Sequence, residues 1–461
     1  MNAAAALAAI VGAQWVRDDQ ASLDTYGQDA LKQLHRPDLV VLPADTAEIA
    51  RIAAWCNDTR TALVPRGAGT GYSGGAVPIR GGVVLSLERL NRILEIDARS
   101  LVAVVQPHVI TGVLQADVEA RGLFYPPDPA SLDRSVIGGN VAEGAGGPRA
   151  FKYGTTKRYV LGLEAVLPSG AVVRTGSRTL KNVVGYDLTQ LLVGSEGTLA
   201  IITEITLRLV PKPTARATLR ASFSSIAAAA DGVTAILHAG LVPAALEIVD
   251  AACLDALAAR LGARLAPDGT GALLLVEADG GPAAVAEEIA GLAAACAAAG
   301  ATEVRRAANE AERAEIWNLR RELSLSLRAI APLKLNHDVV VPPGRMPELF
   351  DLVDRLRRER TLRIACFGHA ADGNIHVNIM VDPADAAELA RAREGERRLF
   401  EGVVALGGSI SGEHGIGYTK ARYLDIELTP ATIALMRSVK RTFDPNGILN
   451  PGKIFPEPSG G

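Results

Sequence analysis

The chain has 461 residues, more than one ordinary hydrophobic core accommodates, and suits two or three domains. With 48 Lys and Arg against 51 Asp and Glu, the net charge of -3 gives no field that would attract a nucleic acid. Cys56, Cys253, Cys296 and Cys366 are scattered with no C-x-x-C spacing, which argues against an iron–sulfur cluster, a thiolate zinc site and a disulfide framework, and points to a reducing compartment.

The N-terminal stretch "MNAAAALAAIVGAQWV" is apolar without a preceding Lys or Arg, and reads as a short packed helix rather than a signal peptide. No apolar run reaches the roughly 20 residues of a membrane span, so the expectation is a cytoplasmic protein with at most peripheral contact to the inner membrane. Residues 39–64 read strand–helix–strand, with Asp45 as N-cap and Glu48 at the capping-box position. Alternating strands follow over 82–110, then a short helix over 111–121. From 160 to 210 the pattern is strand and turn throughout, with a hairpin turning at Pro168-Ser169-Gly170 and a long strand in "TLAIITEITLRLVP". Pro211 and Pro213 punctuate the chain. Beyond them "ALEIVD", "ALLLVEA" and "LKLNHDVVVP" alternate with Ala/Leu/Arg-rich helices, the pattern of a ferredoxin-like α+β unit with an antiparallel sheet. The turn-rich, apolar "DPNGILNPGKIF" is expected to return to the first domain.

Three glycine-rich segments carry the first chemical signal: "VPRGAGTGYSGG" (64–75), "SVIGGNVAEGAGG" (135–147) and "LLVGSEGTLAIIT" (191–203). Gly69, Gly71 and Gly74 satisfy G-x-G-x-x-G, but the sequence continues into Pro78 and a strand, not the helix that a dinucleotide fingerprint must open. The alternative is a set of backbone nests whose N–H groups converge on phosphate oxygens. Three such loops, each leaving or entering a strand, fit a long diphosphate ligand such as flavin adenine dinucleotide (FAD).

With "PPDPAS", "KYGTT", "GYDLTQLLVGSEGTLAIIT", "GHAADGNIH", "GEHGIG" and "DPNGILNPGKIF", these stretches span residues 65–455 in order. In them the chain resembles the flavin-linked oxidase family that includes vanillyl-alcohol oxidase, and within it the D-2-hydroxy acid dehydrogenases. The resemblance implies an α+β fold: a PCMH-type FAD-binding domain of two α/β subdomains, and a ferredoxin-like cap. The expected divisions are an N-terminal helical segment 1–34, the FAD domain 35–213, a cap 214–425 carrying the metal ligands, and a C-terminal segment 426–461. By position, Pro65, Arg66, Gly67, Ala68, Gly69, Thr70, Gly71, Ser73 and Gly74 are implied to hold the diphosphate. Pro127, Asp128, Ser131, Gly138, Gly139, Asn140, Ala142 and Gly146 are implied to line the flavin, with Glu196, Gly197, Ile202 and Asn450 near the adenosine or the ring. Residues 64–75 hold neither His nor Cys, so the FAD is expected to be non-covalent.

His369 and His376 flank the turn-like Ala371-Asp372-Gly373-Asn374, and Glu413 and His414 sit among glycines. Two imidazoles and a carboxylate are the ligand set of a catalytic zinc with an open position, and the resemblance makes the same assignment, with Mn2+ or Co2+ as similar ions. The family it resembles usually has Gly where this chain has Ala371, a change that would cost roughly 1 kcal/mol if that residue needed positive φ. Adjacent His414 is the candidate base for the substrate hydroxyl. The resemblance assigns Arg320 to the substrate carboxylate, with Arg321 as rival. Asn378, two residues past His376, shares its strand face. Ser324 and Lys334 are further candidates, while His35, His108, His238 and His337 read as structural.

The implied reaction is oxidation of a D-2-hydroxy acid, D-lactate or glycolate first, by hydride transfer to flavin N5. D-2-hydroxyglutarate is the competing substrate, and a direct oxidase is a second enzymatic reading. A reading of another class is a non-catalytic flavin-binding subunit of an electron-transfer complex. With no cluster or haem motif in the chain, an external acceptor is implied: a quinone, a cytochrome, an electron-transfer flavoprotein or an iron–sulfur subunit. A homodimer is compatible with these features.

Overall fold

Asp45 begins the helix Thr46–Thr59 in the computed structural model, which describes residues 2–262 and 264–456. Its carboxylate accepts the N–H of Glu48 at 2.9 Å, and Glu48 in turn accepts the N–H of Ala44 at 2.7 Å. The apolar period of that helix turns Ile49, Ile52, Ala53 and Cys56 into the core.

The chain divides into two units. The first comprises Met1–Gly146, Thr155–Lys212 and Glu413–Gly461. Its strands β1 (Val16–Arg17), β2 (Leu39–Val41), β3 (Leu63–Arg66) and β4 (Val83–Ser86) form a sheet in the order β1-β2-β4-β3. Strands β2, β4 and β3 run parallel, with the helix Thr46–Thr59 as the crossover that parallel pairing requires. The next strands are β5 (Ile93–Asp97), β6 (Val102–Val105), β7 (Leu123–Phe124), β8 (Val160–Val166), β9 (Val172–Gly176), β10 (Ile201–Arg208) and β11 (Val210–Pro211). An antiparallel sheet runs β5-β6-β10-β8-β9, and β7 pairs with β11.

Leu7 and Val11, from the helix Ala3–Val11, share the core of the first sheet with Ile448 and Leu449. The C-terminal segment runs alongside β3: Leu63 N–H donates to Ile448 O, and Asn450 N–H donates to Leu63 O, each at 2.8 Å.

Two local expectations are corrected. Residues Ile137–Glu143 of the second glycine segment are a short helix, not a loop beside a strand. The pattern over 160–210 is interrupted by the helix Leu188–Leu192, which Asp187 caps through Gln190 N–H at 3.0 Å. In both segments a short helix sits where glycines or cap residues masked the period.

The second unit comprises Gly147–Gly154 and Pro213–Gly412. Its strands β12 (Ala215–Phe223), β13 (Ala245–Asp250), β14 (Ala272–Gly280), β15 (Glu303–Arg306), β16 (Leu333–Val340), β17 (Arg363–His369) and β18 (Asn374–Val381) form one sheet. The order is β15-β12-β14-β13-β17-β18-β16, antiparallel throughout. The helices Ala251–Leu261 and Glu310–Ser326 close a core over one sheet face, where Cys253, Leu257, Ile316 and Leu323 meet Val249, Leu275, Phe367 and Met380.

The division differs from the expected one at its edges. Residues 413–425 belong to the first unit, where Glu196 accepts the N–H groups of Ile416 and Gly417. Gly147–Gly154 belongs to the second, where Lys152 and Tyr153 both bind the buried Asp279 at 2.8 Å.

Candidate active site

Sheet register gathers the polar groups of the second unit. Pairing sets Glu247 opposite His369, Phe367 opposite His376, and Asp338 opposite His376, so polar groups from four strands share the helix-covered face. The turn between β17 and β18 takes its positive φ at Gly373 (+77°); Ala371 is not among the residues with positive φ and is buried. The expected backbone strain at Ala371 therefore does not arise.

His369 and His376 are almost fully buried, with ring centroids 5.5 Å apart and planes at 85°. Nδ1 of His369 lies 2.5 Å from Oε1 of Glu247. Arg320 donates to the other oxygen of Glu247 through Nε at 2.7 Å and also through Nη2, and its guanidinium lies 4.7 Å from the Phe367 ring centroid. Burial by itself would raise the Glu247 carboxyl, but Arg320 and His369 together hold it below the usual carboxylate range. An ionised Glu247 only accepts, so Nδ1 of His369 carries a proton, and Nε2 is the nitrogen that the neutral ring would offer to a metal.

Asp338 receives the Asn374 side-chain amide at 2.7 Å and the Gly412 N–H at 2.9 Å, and stands 3.9 Å from Nδ1 of His376. Arg320 faces the interior, whereas Arg321 is exposed and bonds Asn318 one turn away. Asn378 lies on the His376 face, but its amide donates to Ala365 O and His376 O and accepts from Asn336. It braces strands. Lys334 donates to Ser324 Oγ at 2.5 Å, and burial lowers the Lys334 ammonium to about 8. His337 is buried against Phe400 in an edge-on contact.

In the first unit the three glycine segments meet through backbone. A Cβ on Gly67 would stand 2.8 Å from Val136 Cγ2, so only glycine admits that approach. Gly194 N–H donates to Val141 O at 2.9 Å, and Glu196 N–H donates to Ala142 O at 2.8 Å. Asn450 spans two segments, its amide donating to Gly75 O and Glu196 O. Gly74 N–H donates to Asp29, Gly71 O accepts from Ala30, and Arg66 is buried with its guanidinium 5.7 Å from the Tyr26 ring. Asn140 bonds Thr111, and Pro127 O accepts from Gln115. Ser73 Oγ, Asn450 Oδ1 and Glu143 Oε2 are buried atoms without a hydrogen-bond partner among the described residues.

The loop carrying Glu413 and His414 is held from below. The Glu196 carboxylate takes the N–H groups of Ile416 at 2.8 Å and Gly417 at 2.6 Å. The His414 ring stacks on Tyr72 at 5.5 Å, and a Cβ on Gly146 would meet Glu413 Oε2 at 2.7 Å. Glu143 reaches the same loop, and its carboxyl is raised well above the usual range by burial, then by Glu196 and Asp29. Glu247, Asp338, Glu143 and Tyr72 lay outside the sequence reading. A usable signal existed for Glu247, since an acid flanked by the apolar residues of a buried strand needs a partner.

Residues 212–454 match the family model of FAD linked oxidases, C-terminal domain, and residues 37–176 match an FAD binding domain. Glycolate oxidase subunit GlcD of Bacillus subtilis (strain 168) is 42% identical over 441 residues, 95% of this chain and 93% of that protein. D-lactate dehydrogenase of Anaerostipes hadrus is 37% identical, covering 93% and 92% of the two chains. D-2-hydroxyglutarate dehydrogenase of Stutzerimonas stutzeri (strain A1501) is 36% identical, covering 95% and 96%. Among solved structures, p-cresol methylhydroxylase with substrate bound superposes with a TM-score of 0.82 at 18% identity, covering 98% of this chain and 96% of that one. The 4-ethylphenol oxidase from Gulosibacter chungangensis gives 0.77 at 22%, covering 99% and 97%. At those identities the likeness is one of fold.

Proposed function

Because the chain belongs to the FAD-linked oxidase family, we propose that it oxidises a D-2-hydroxy acid to the 2-keto acid, with glycolate or D-lactate ahead of D-2-hydroxyglutarate. The three named relatives act on 2-hydroxy carboxylates that differ only in what the hydroxyl carbon bears, so a shared carboxylate-and-hydroxyl site is the common requirement.

The residues suit both groups that the reading needs. Backbone approach at Gly67 and the unpartnered Ser73 Oγ and Asn450 Oδ1 suit a polar, phosphate-bearing ligand such as non-covalent FAD. An imidazole whose Nδ1 faces a carboxylate suits a divalent ion such as Zn2+, Mn2+ or Co2+ at Nε2, with His369, His376 and Glu413 as the proposed ligands. When bound, FAD supplies a two-electron acceptor and the divalent ion supplies an electrophile for substrate oxygens.

The chain's own groups do the rest. Arg320, held by Glu247 along its Nε–Nη2 edge, retains the Nη1 edge for a substrate carboxylate. His414, oriented by stacking on Tyr72, accepts the hydroxyl proton at its imidazole. All four cysteines are buried thiols, so reducing equivalents leave to an external acceptor, in keeping with a relative named as a subunit. No helix among the described residues is long and apolar enough to cross a membrane.

The observation that carries this reading is the carboxylate of Glu247 shared between an imidazole and a guanidinium. The test is anaerobic stopped-flow mixing of metal-loaded protein with D- and L-2-hydroxy acids. Rapid flavin bleaching by D-lactate or glycolate is expected; no bleaching by any 2-hydroxy acid would overturn the reading.

A further inference from the structure

Glu247 belongs to no motif. It lies in β13, where all six side chains of Ala245–Asp250 are buried. A charge in such a place needs partners on both oxygens, and each oxygen has one: Oε1 lies 2.5 Å from His369 Nδ1, and Oε2 accepts from Arg320 Nε at 2.7 Å. Strand register supplies the first partner, and the inward face of the helix Glu310–Ser326 supplies the second.

Resting on the function proposed above, we propose that Glu247 is the positioning residue that aligns the metal-binding imidazole with the substrate-binding guanidinium. Its acceptor-only chemistry forces the proton of His369 onto Nδ1 and so presents Nε2 as the ligand nitrogen. Its other oxygen clamps one edge of Arg320 and fixes the plane in which a substrate carboxylate is met. One side chain thereby couples the placement of two groups whose relative position decides whether a hydroxy acid is seated for reaction.

An amide cannot do both jobs. With its oxygen toward His369, the amide would face the guanidinium with its NH2, donor against donor. Turned the other way, it would offer the NH2 to the imidazole, which would then keep its proton on Nε2. Glu247→Gln is therefore expected to damage metal binding as well as turnover.

The probe is cobalt(II), titrated into metal-stripped, FAD-loaded full-length protein and followed by its ligand-field absorption against a competing chelator. Wild type is expected to bind cobalt and His369→Ala to lose it. Glu247→Gln is expected to weaken the affinity roughly 10- to 100-fold and to raise KM for the hydroxy acid, with flavin content unchanged. Should that variant fail to fold because Arg320 is left unpaired, the double variant Glu247→Leu with Arg320→Met removes both charges and every acceptor for His369 Nδ1, and its cobalt affinity is expected to stay low. Wild-type cobalt affinity in the folded single or double variant overturns the role of Glu247. Absence of cobalt binding by the wild type would instead overturn the metal-assisted reading, and this inference with it.

Discussion

Replacing Glu196 by Ala should loosen the loop that carries Glu413 and His414 while leaving the rest of the first unit folded. The carboxylate accepts from Ile416 N–H at 2.8 Å and Gly417 N–H at 2.6 Å. Hydrogen bonds to a charged group contribute roughly 1.5–3 kcal/mol each, so the gross loss is about 3–6 kcal/mol. Part of this returns, because burial raises the Glu196 carboxyl and removing it relieves that desolvation. The net expectation is about 3 kcal/mol, near the lower bound. At about 1.4 kcal/mol per decade, amide exchange at Ile416 and Gly417 should accelerate by roughly 100-fold. Glu196→Gln keeps one acceptor and should accelerate exchange less. The assay is hydrogen–deuterium exchange by mass spectrometry on FAD-loaded protein, with peptides from the helix Thr46–Thr59 as the internal reference. Exchange over 413–417 within about threefold of wild type would refute the clamp.

Other outcomes are equally definite. His414→Asn should lower kcat by roughly 10²–10⁴-fold with flavin content intact; near-normal turnover would remove His414 as the base. Chelation should abolish turnover, and Zn2+, Mn2+ or Co2+ should restore it, measured with an artificial electron acceptor. Glu143 holds its proton above the ordinary carboxylate range when folded, so stability should fall as pH rises from that range through its folded value. Glu143→Gln should remove this slope in urea midpoints measured across pH, and an unchanged slope would assign it to another group. Gly74→Ala sets a Cβ 2.1 Å from Tyr418 Cε1 at φ +80°, which costs roughly 1–2 kcal/mol in backbone strain before the ring moves. That variant should lose FAD on gel filtration.

The helix start at Asp45, the hairpin closing at Gly373 and the return of the C-terminal segment to β3 all have signals within a few residues of where they act. Caps and turns are set by local sterics and by N–H groups three or four positions away, so they can be read from a string of letters. The second glycine segment misled for the same reason: its glycines resemble a loop, yet they permit a helix against Pro107, from which a Cβ at Gly138 would stand 2.5 Å. Tertiary packing overrode propensity there.

The string of residues was enough to specify the antiparallel α+β cap, the three glycine segments and the residue types from which a flavin site and the proposed metal site would be built. Folding settled that Arg320 rather than Arg321 faces inward, that Ala371 escapes positive φ, and that Glu196 clamps a loop more than two hundred residues away. It also disclosed Glu247, whose partner His369 is 122 positions along the chain. The reason is physical: a buried carboxylate is compensated by whichever donors strand register and helix facing bring to it, and those are properties of the folded sheet.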